Sequence, residues 1–407
     1  MYRAAEPARS SRRSRTSRRS TTCILVVAVC CLPIRHAPAQ SATPDEFSQT
    51  TEFRVFTRDW WPTKGSALSS AYAGNSACGK CHTEQASLQS ATPMANASYR
   101  SAVGDWGKEL AAAAPFRIGH YSYEIVPHVD DPELVVKSGN QSITAEIAWT
   151  FGAGVLGQTF VLESKGKLFD SQVSSFRGLD GGMAITPGHK PAKDGDLDNA
   201  IGMKLSPKIA ARCFGCHTTI STVKDQFDPE HAIPGVTCES CHGPGLAHVV
   251  AANMNMIEDA KALIFSPRSL NPIEAVDFCG ACHMTAADVV ESNLFVPSNV
   301  RFAPYRLEKS RCWGVRGDQR LACFSCHDPH KPLVQEAGAY DRRCLSCHSS
   351  QTSRSSDQAG AAAKACPKAT ANCTTCHMPK YDVPEMHGKF TDHFIRIVRA
   401  SEPYPIQ

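Results

Sequence analysis

Short α-helices joined by irregular loops, with one small antiparallel β-module inserted near the front, form the fold class this 407-residue chain predicts. Three observations predict it. The pentapeptide Cys-x-x-Cys-His occurs seven times. One copy stands near the start, a motif-free stretch of about 130 residues follows, and six copies crowd between 213 and 377. Within the free stretch, apolar residues alternate with a period of two, as on a half-buried strand.

The motifs read Cys78-Gly-Lys-Cys81-His82, Cys213-Phe-Gly-Cys216-His217, Cys238-Glu-Ser-Cys241-His242, Cys279-Gly-Ala-Cys282-His283, Cys323-Phe-Ser-Cys326-His327, Cys344-Leu-Ser-Cys347-His348 and Cys373-Thr-Thr-Cys376-His377. Two thiols three positions apart on one helical turn can each form a thioether to a haem vinyl group. The histidine beside the second cysteine then reaches the iron. Cys-x-x-Cys also serves zinc sites and redox pairs. Neither use would place a histidine after all seven second cysteines. Seven covalent haems c are expected, which makes the chain a heptahaem c-type cytochrome whose porphyrins stack inside the protein.

Taken in order, residues 1–39 read as a secretory signal peptide. Arg12, Arg13, Arg15, Arg18 and Arg19 form a basic n-region, Cys23 to Ile34 is apolar, and Ala37-Pro38-Ala39 supplies a small-residue cleavage site. The apolar run, about 12 residues, is too short to span a bilayer. Arg18-Arg19 reads as part of an ordinary basic region rather than a twin-arginine signal, and Val29 is the wrong size for lipidation at Cys30. The leader carries eight of the 43 basic residues and one of the 39 acidic ones, leaving 35 against 38, so the mature chain is near −3. No nucleic-acid footprint survives its removal.

Residues 40–111 form the N-terminal segment with haem 1, 112–200 a β-rich haem-free module, and 201–400 a six-haem C-terminal domain. In the module, Ile143, Ala145, Ile147, Trp149 and Phe151 alternate, as do Tyr121, Tyr123 and Ile125. Gln158-Thr159-Phe160-Val161-Leu162 is β-prone. The glycines at 152, 154 and 157 make a turn between strands; their spacing does not fit a dinucleotide fingerprint. The module reads as scaffold, with substrate or partner docking as its other reading. Each C-terminal haem has only about 30 residues around it, so the porphyrins must supply the core and folding must depend on their attachment. The Ser- and Gln-rich run at 351–360 reads as a surface loop.

Three segments carry a more specific resemblance. Gly235-Val236-Thr237-Cys238-Glu239-Ser240-Cys241-His242-Gly243-Pro244-Gly245-Leu246-Ala247-His248 resembles the CxxCHGPG…H segment of multihaem cytochromes c, in the group that includes the tetrahaem partner of hydroxylamine oxidoreductase. Cys323 to His330 resembles their CxxCHDPH segment. Cys376-His377-Met378-Pro379-Lys380, with His387 and Thr391-Asp392-His393, resembles their CHMPK…H…TDH segment. The Tyr72 to Cys78 opening is also similar. The resemblance covers about 72–100 and 200–400. It implies periplasmic electron transfer, in some members with reductase or oxidase activity at an open haem. The chain lacks the CxxCK motif of the pentahaem nitrite reductases.

Eight histidines outside the motifs remain after the leader: His120, His128, His189, His231, His248, His330, His387 and His393. Eight for seven irons suits bis-histidine ligation, which keeps iron low-spin and limits reorganisation on reduction. The resemblance implies His248, His330, His387 and His393 as distal ligands. His330 lies too close to His327 to share its iron and must serve another haem. His231 and His189 flank motifs and come next; His120 and His128 divide evenly between ligand and surface residue. Haem 1 stands apart from the other six and has no histidine shortly downstream, so Met94 is its candidate ligand, with core packing the competing reading. Cys312 and Cys366 form a disulfide, remain free thiols, or place Cys312 near a haem, in that order.

Ligand arithmetic favours an electron carrier over an enzyme. The partners expected are redox proteins, cytochromes or quinol-oxidising membrane proteins, with no transmembrane segment after signal removal. The alternative is a multihaem oxidoreductase acting on a small nitrogen or sulfur compound at one open haem.

Overall fold

Strand-forming residues govern the first half of the structure, a computed structural model that describes residues 68–100, 115–128, 132–179, 182–223, 226–313, 321–348, 366–399 and 404. Residues 1–39, read as a signal peptide, and the Ser-rich run at 351–360 lie outside the described residues. Every described residue belongs to the compact unit Ala42–Gln407, apart from Met1–Ser41.

Nine antiparallel strands make one sheet. Seven follow as a meander: β2 (Phe116–Ile118), β3 (Tyr121–Val126), β4 (Glu133–Ser138), β5 (Gln141–Phe151), β6 (Gly157–Ser164), β7 (Lys167–Phe176) and β8 (Met183–Ile185). Before them, β1 (Ser98–Arg100) pairs with the far end of β5, Ser98 opposite Phe151. After them, β9 (Gly202–Lys204) pairs with β7, Met203 opposite Asp170. The alternating runs read from the sequence form β3, β5 and β6. The sheet is larger than expected and overruns the 112–200 boundaries at both ends, so a mostly helical description does not fit the described residues. Three-residue strands carry no readable period; the open edges of β5 and β7 recruit them.

Bulges re-aim the sheet's side chains. Register shifts fall between Ile147 and Trp149 and between Thr159 and Val161, and such bulges bend and twist a strand. Accordingly Tyr123, Leu134, Val136, Ile147, Phe160 and Leu162 pack with Ala200 and Ile201 of helix α3 (Leu197–Ile201) in one cluster. Trp149, Phe151 and Val161 pack in a second cluster with Phe214. Phe214 sits on α4 (Pro207–His217), the helix that ends on the second motif. Its ring meets Trp149 and Phe151 edge-on, each at 5.0 Å. The sheet therefore serves as the bed for a motif helix.

The other helices are short and named here in chain order: α1 (Asn75–Gly79) and α2 (Thr83–Ser90) before the sheet, then α5 (Cys238–His242), α6 (Leu246–Asn253), α7 (Ile257–Ala262), α8 (Pro272–His283), α9 (Ala286–Glu291), α10 (Ala303–Glu308), α11 (Cys323–Cys326), α12 (Asp341–His348) and α13 (Cys373–His377). Proline and a side-chain cap start the longer ones. Ser206 caps α4 ahead of Pro207, and Asn271 with Glu274 forms a capping box around Pro272 at the start of α8.

Candidate functional site

Each motif lies on or beside a short helix, and six of the seven meet in pairs. Cys78 touches Cys238, Cys279 touches Cys323, and Cys344 touches Cys373, in each case first cysteine against first cysteine. Motif 1 therefore does not stand apart: α1 packs against α5 of motif 3. The remaining motif leans on motif 4, where the Cys216 thiol donates to the Ala281 carbonyl at 3.6 Å.

Three motif histidines face a second imidazole. Ring centres are 6.4 Å apart for His82 and His248, 6.1 Å for His242 and His330, and 6.2 Å for His327 and His393. An iron bonded to two imidazole nitrogens at about 2.0 Å would hold ring centres about 6.3 Å apart. These residues fit a haem iron between them. The second ring nitrogen is also held, as iron-bound imidazoles require. Nδ1 of His248 donates to Ala260 O at 2.8 Å, His242 to Phe265 O at 2.9 Å and His393 to Thr391 O at 3.1 Å. His217 and His377 donate to Ala97 O and Arg396 O at 3.1 and 2.8 Å. A carbonyl only accepts, so Nδ1 carries the proton and Nε2 keeps its lone pair. Burial holds His393 neutral, pushing its pKa down to about 4, with His327 adding to the effect. Burial likewise lowers His242 and His283. Four of these rings gather in one place, since His82, His248 and His330 all act on His242.

The other candidates sit elsewhere. His189 has both ring nitrogens engaged, Nδ1 with Gln172 at 3.2 Å and Nε2 with Asp170 at 3.0 Å, which leaves none for iron in this arrangement. His231 is exposed, with Nδ1 on Asp228 at 2.8 Å. His387 occupies the turn between β10 (Lys380–Val383) and β11 (Gly388–Thr391), its ring edge-on to Phe176 at 4.8 Å. His120 and His128 lie exposed beside Asp194 and Glu133. Opposite His82 stands His248, where the sequence had offered Met94; the backbone of Met94 instead binds the Val236 amide. Cys312 and Cys366 form no disulfide, a correction to the expected pairing, and Cys312 lies close enough to Cys326 to raise its pKa. Cys279 meets Cys323 where α8 packs on α11, Cys282 packs in the cluster around Phe278, His283 ends α8, and His348 ends α12 at the surface. Cys81, Cys241, Cys347 and Cys376 are the second cysteines of motifs 1, 3, 6 and 7. Among the described residues no three His, Cys, Asp or Glu side chains converge as a bare metal ion would need.

The family described as cytochrome c554 and c-prime has a sequence profile that matches residues 183–243, across motifs 2 and 3. The chain is also similar to the multiheme cytochrome MtrA of Shewanella baltica, at 28% identity over 199 residues, covering 46% of this chain and 49% of that protein. On these findings the chain is similar to multihaem cytochromes c over part of its length. It spans about half the length of the curated relative it matches. No solved structure matches. Among the described residues, no helix is long and apolar enough to cross a membrane.

Sequence reasoning missed three charged groups that organise these motifs. Glu239, buried inside motif 3, accepts the amides of Ala73, Gly74 and Gly245 at 2.7–2.9 Å. Asp341 accepts the amides of Asn372 and Cys373 at 2.6 and 2.8 Å. Asp392, beside His393, takes a two-pronged grip from fully buried Arg306 at 2.8 and 2.9 Å and a third bond from Arg396 at 2.7 Å. A buried carboxylate in the sequence was the available signal, but nothing local marks it as buried.

Proposed function

We propose that this chain is an exported heptahaem cytochrome that passes electrons between redox proteins in the periplasm. Its closest functional setting would be the group around the tetrahaem partner of hydroxylamine oxidoreductase. The three motif strings support that setting. The observation that carries the reading is the set of facing imidazoles at 6.1–6.4 Å. It supports His82 with His248, His242 with His330 and His327 with His393 as iron-binding pairs, each haem being tied by the two cysteines of its motif. Haem supplies reversible one-electron chemistry. The protein residues fix imidazole orientation through their carbonyl partners, keep low-spin iron from reorganising, and bring motifs together so that electrons can tunnel between them.

The other motifs, on Cys213 and Cys216, Cys279 and Cys282, Cys344 and Cys347, and Cys373 and Cys376, take haem in the same way, with His217, His283, His348 and His377 as proximal ligands. The near −3 charge of residues 40–407 and the haem propionates suit a partner with a positive rim. Denaturing mass spectrometry should give the mature chain plus seven haems. The reduced protein should not bind carbon monoxide stoichiometrically. Fewer haems would break the count, and one full equivalent of carbon-monoxide-binding haem with turnover of nitrite or hydroxylamine would replace the carrier by an enzyme.

A further inference from the structure

Two of the motif pairs are joined in the same way. In each, a carboxylate on one motif helix accepts two consecutive backbone N–H groups at the start of its partner's helix. Glu239, the second residue of motif 3, takes the amides of Ala73 and Gly74, and Gly74 is the N-cap residue of α1, which carries Cys78. Asp341, at the start of the helix of motif 6, takes the amides of Asn372 and Cys373, and Asn372 is the N-cap residue of α13. The first amides of a helix have no intrahelical partner, and an anion there also meets the positive end of the peptide dipoles. Here the cap comes from another haem-attachment segment.

The first pair is reinforced in the opposite direction. Asn75 of α1 accepts the Cys238 amide at 3.4 Å. Asn75 and Asp341 each stand three residues before the first cysteine of their own motif, and each binds the amide of the first cysteine in the partner motif. The outcome is the same in both places: first cysteines in contact, Cys78 with Cys238 and Cys344 with Cys373. Those cysteines anchor one edge of each porphyrin, so the clamp sets how closely two haems approach.

We infer that Glu239 and Asp341 are positioning residues that lock motifs 1 with 3 and 6 with 7, and so fix the spacing and mutual orientation of two haem pairs. The inference rests on the haem-binding reading above. Neither carboxylate touches iron in this scheme; each acts through the backbone that bears the cysteines. Loosening a clamp should weaken the electronic coupling within one pair while leaving haem attachment intact.

The experiment uses the full-length, haem-loaded protein. Close haem pairs give a two-signed circular dichroism signal in the Soret band, and denaturing mass spectrometry counts haems in the same samples. Asp341→Ala should lose part of that signal at an unchanged haem count, and so should Asp341→Asn, whose amide nitrogen cannot accept the second of the two N–H groups. Glu239→Ala should do likewise for the first pair. Glu239 is buried and its alanine variant can fail to fold, so half-exposed Asp341 decides the matter. An unchanged Soret signal in Asp341→Ala with every haem present would overturn the clamp. A wild-type protein without haem on motifs 6 and 7 would instead overturn the haem reading on which it stands.

Discussion

His248 stands opposite His82 with its Nδ1 proton on the Ala260 carbonyl. Replacing it by alanine should convert one haem from low to high spin, read in the visible and electron paramagnetic resonance spectra, while Met94→Ala should leave both unchanged. A near-infrared charge-transfer band lost in Met94→Ala would return the site to the thioether. Asp341 offers a pH test. Hydrogen bonds from the amides of Cys373 and Asn372 hold its carboxyl below the ordinary value near about 3.9. A depressed carboxylate contributes stability that is fully present above its unfolded pKa and is lost as pH falls through the lower folded one. The Soret signal of the wild type should therefore weaken in that acid window, and the signal of Asp341→Asn should lack that component. Identical acid profiles would exclude Asp341 as the titrating group.

At the scale of elements, the sheet and the haem motifs are coupled through aromatic contacts. Phe151 meets Phe214 edge-on and lies flat against the His217 ring at 4.7 Å, 4° from parallel. Phe151→Ala would leave a cavity and should cost about 3–5 kcal/mol. The same change should disturb the spectrum of the haem on motif 2 more than the others. Thermal melting followed at the Soret band reports both. On the C-terminal side, Arg306 and Asp392 are fully buried. Removing one partner of such a pair leaves an uncompensated charge, so Asp392→Ala should destabilise by about 3–5 kcal/mol. His393 follows Asp392 directly, so the change should also raise the high-spin fraction. A melting shift without spectral change would confine Asp392 to a structural role.

Across the whole molecule, the facing histidines are interleaved. His248 follows motif 3 yet faces motif 1, His330 follows motif 5 yet faces motif 3, and His393 follows motif 7 yet faces motif 5. Motifs 1, 3 and 5 each meet a ring from a distant part of the chain, so a local change should be felt at a distance in sequence. His330→Ala should open the haem on motif 3 and leave the haem on motif 5 low-spin. Selective assignment of the high-spin haem by nuclear magnetic resonance would test this, and a high-spin haem at motif 5 would refute the interleaving. Folding should likewise be cooperative with attachment of all the haems, since binding that occurs only in the native state is folding free energy. Cys241→Ser should lower the yield of the whole protein as well as removing one haem.

The sequence by itself determined the chemistry, because Cys-x-x-Cys-His is a local constraint that one helical turn satisfies. It also determined β3, β5 and β6, because a period of two needs only neighbours on one strand. It directed His330 away from its own motif for the same local reason, as three residues from His327 it cannot reach the far face, and the structure sets it opposite His242. What only the tertiary structure decided is everything set by long-range pairing. The partner of His82 lies 166 residues away, the strands at Ser98–Arg100 and Gly202–Lys204 exist because sheet edges receive them, and Glu239 and Asp341 matter because another motif's amides arrive beside them. Packing decides those encounters, and packing depends on which distant surfaces meet.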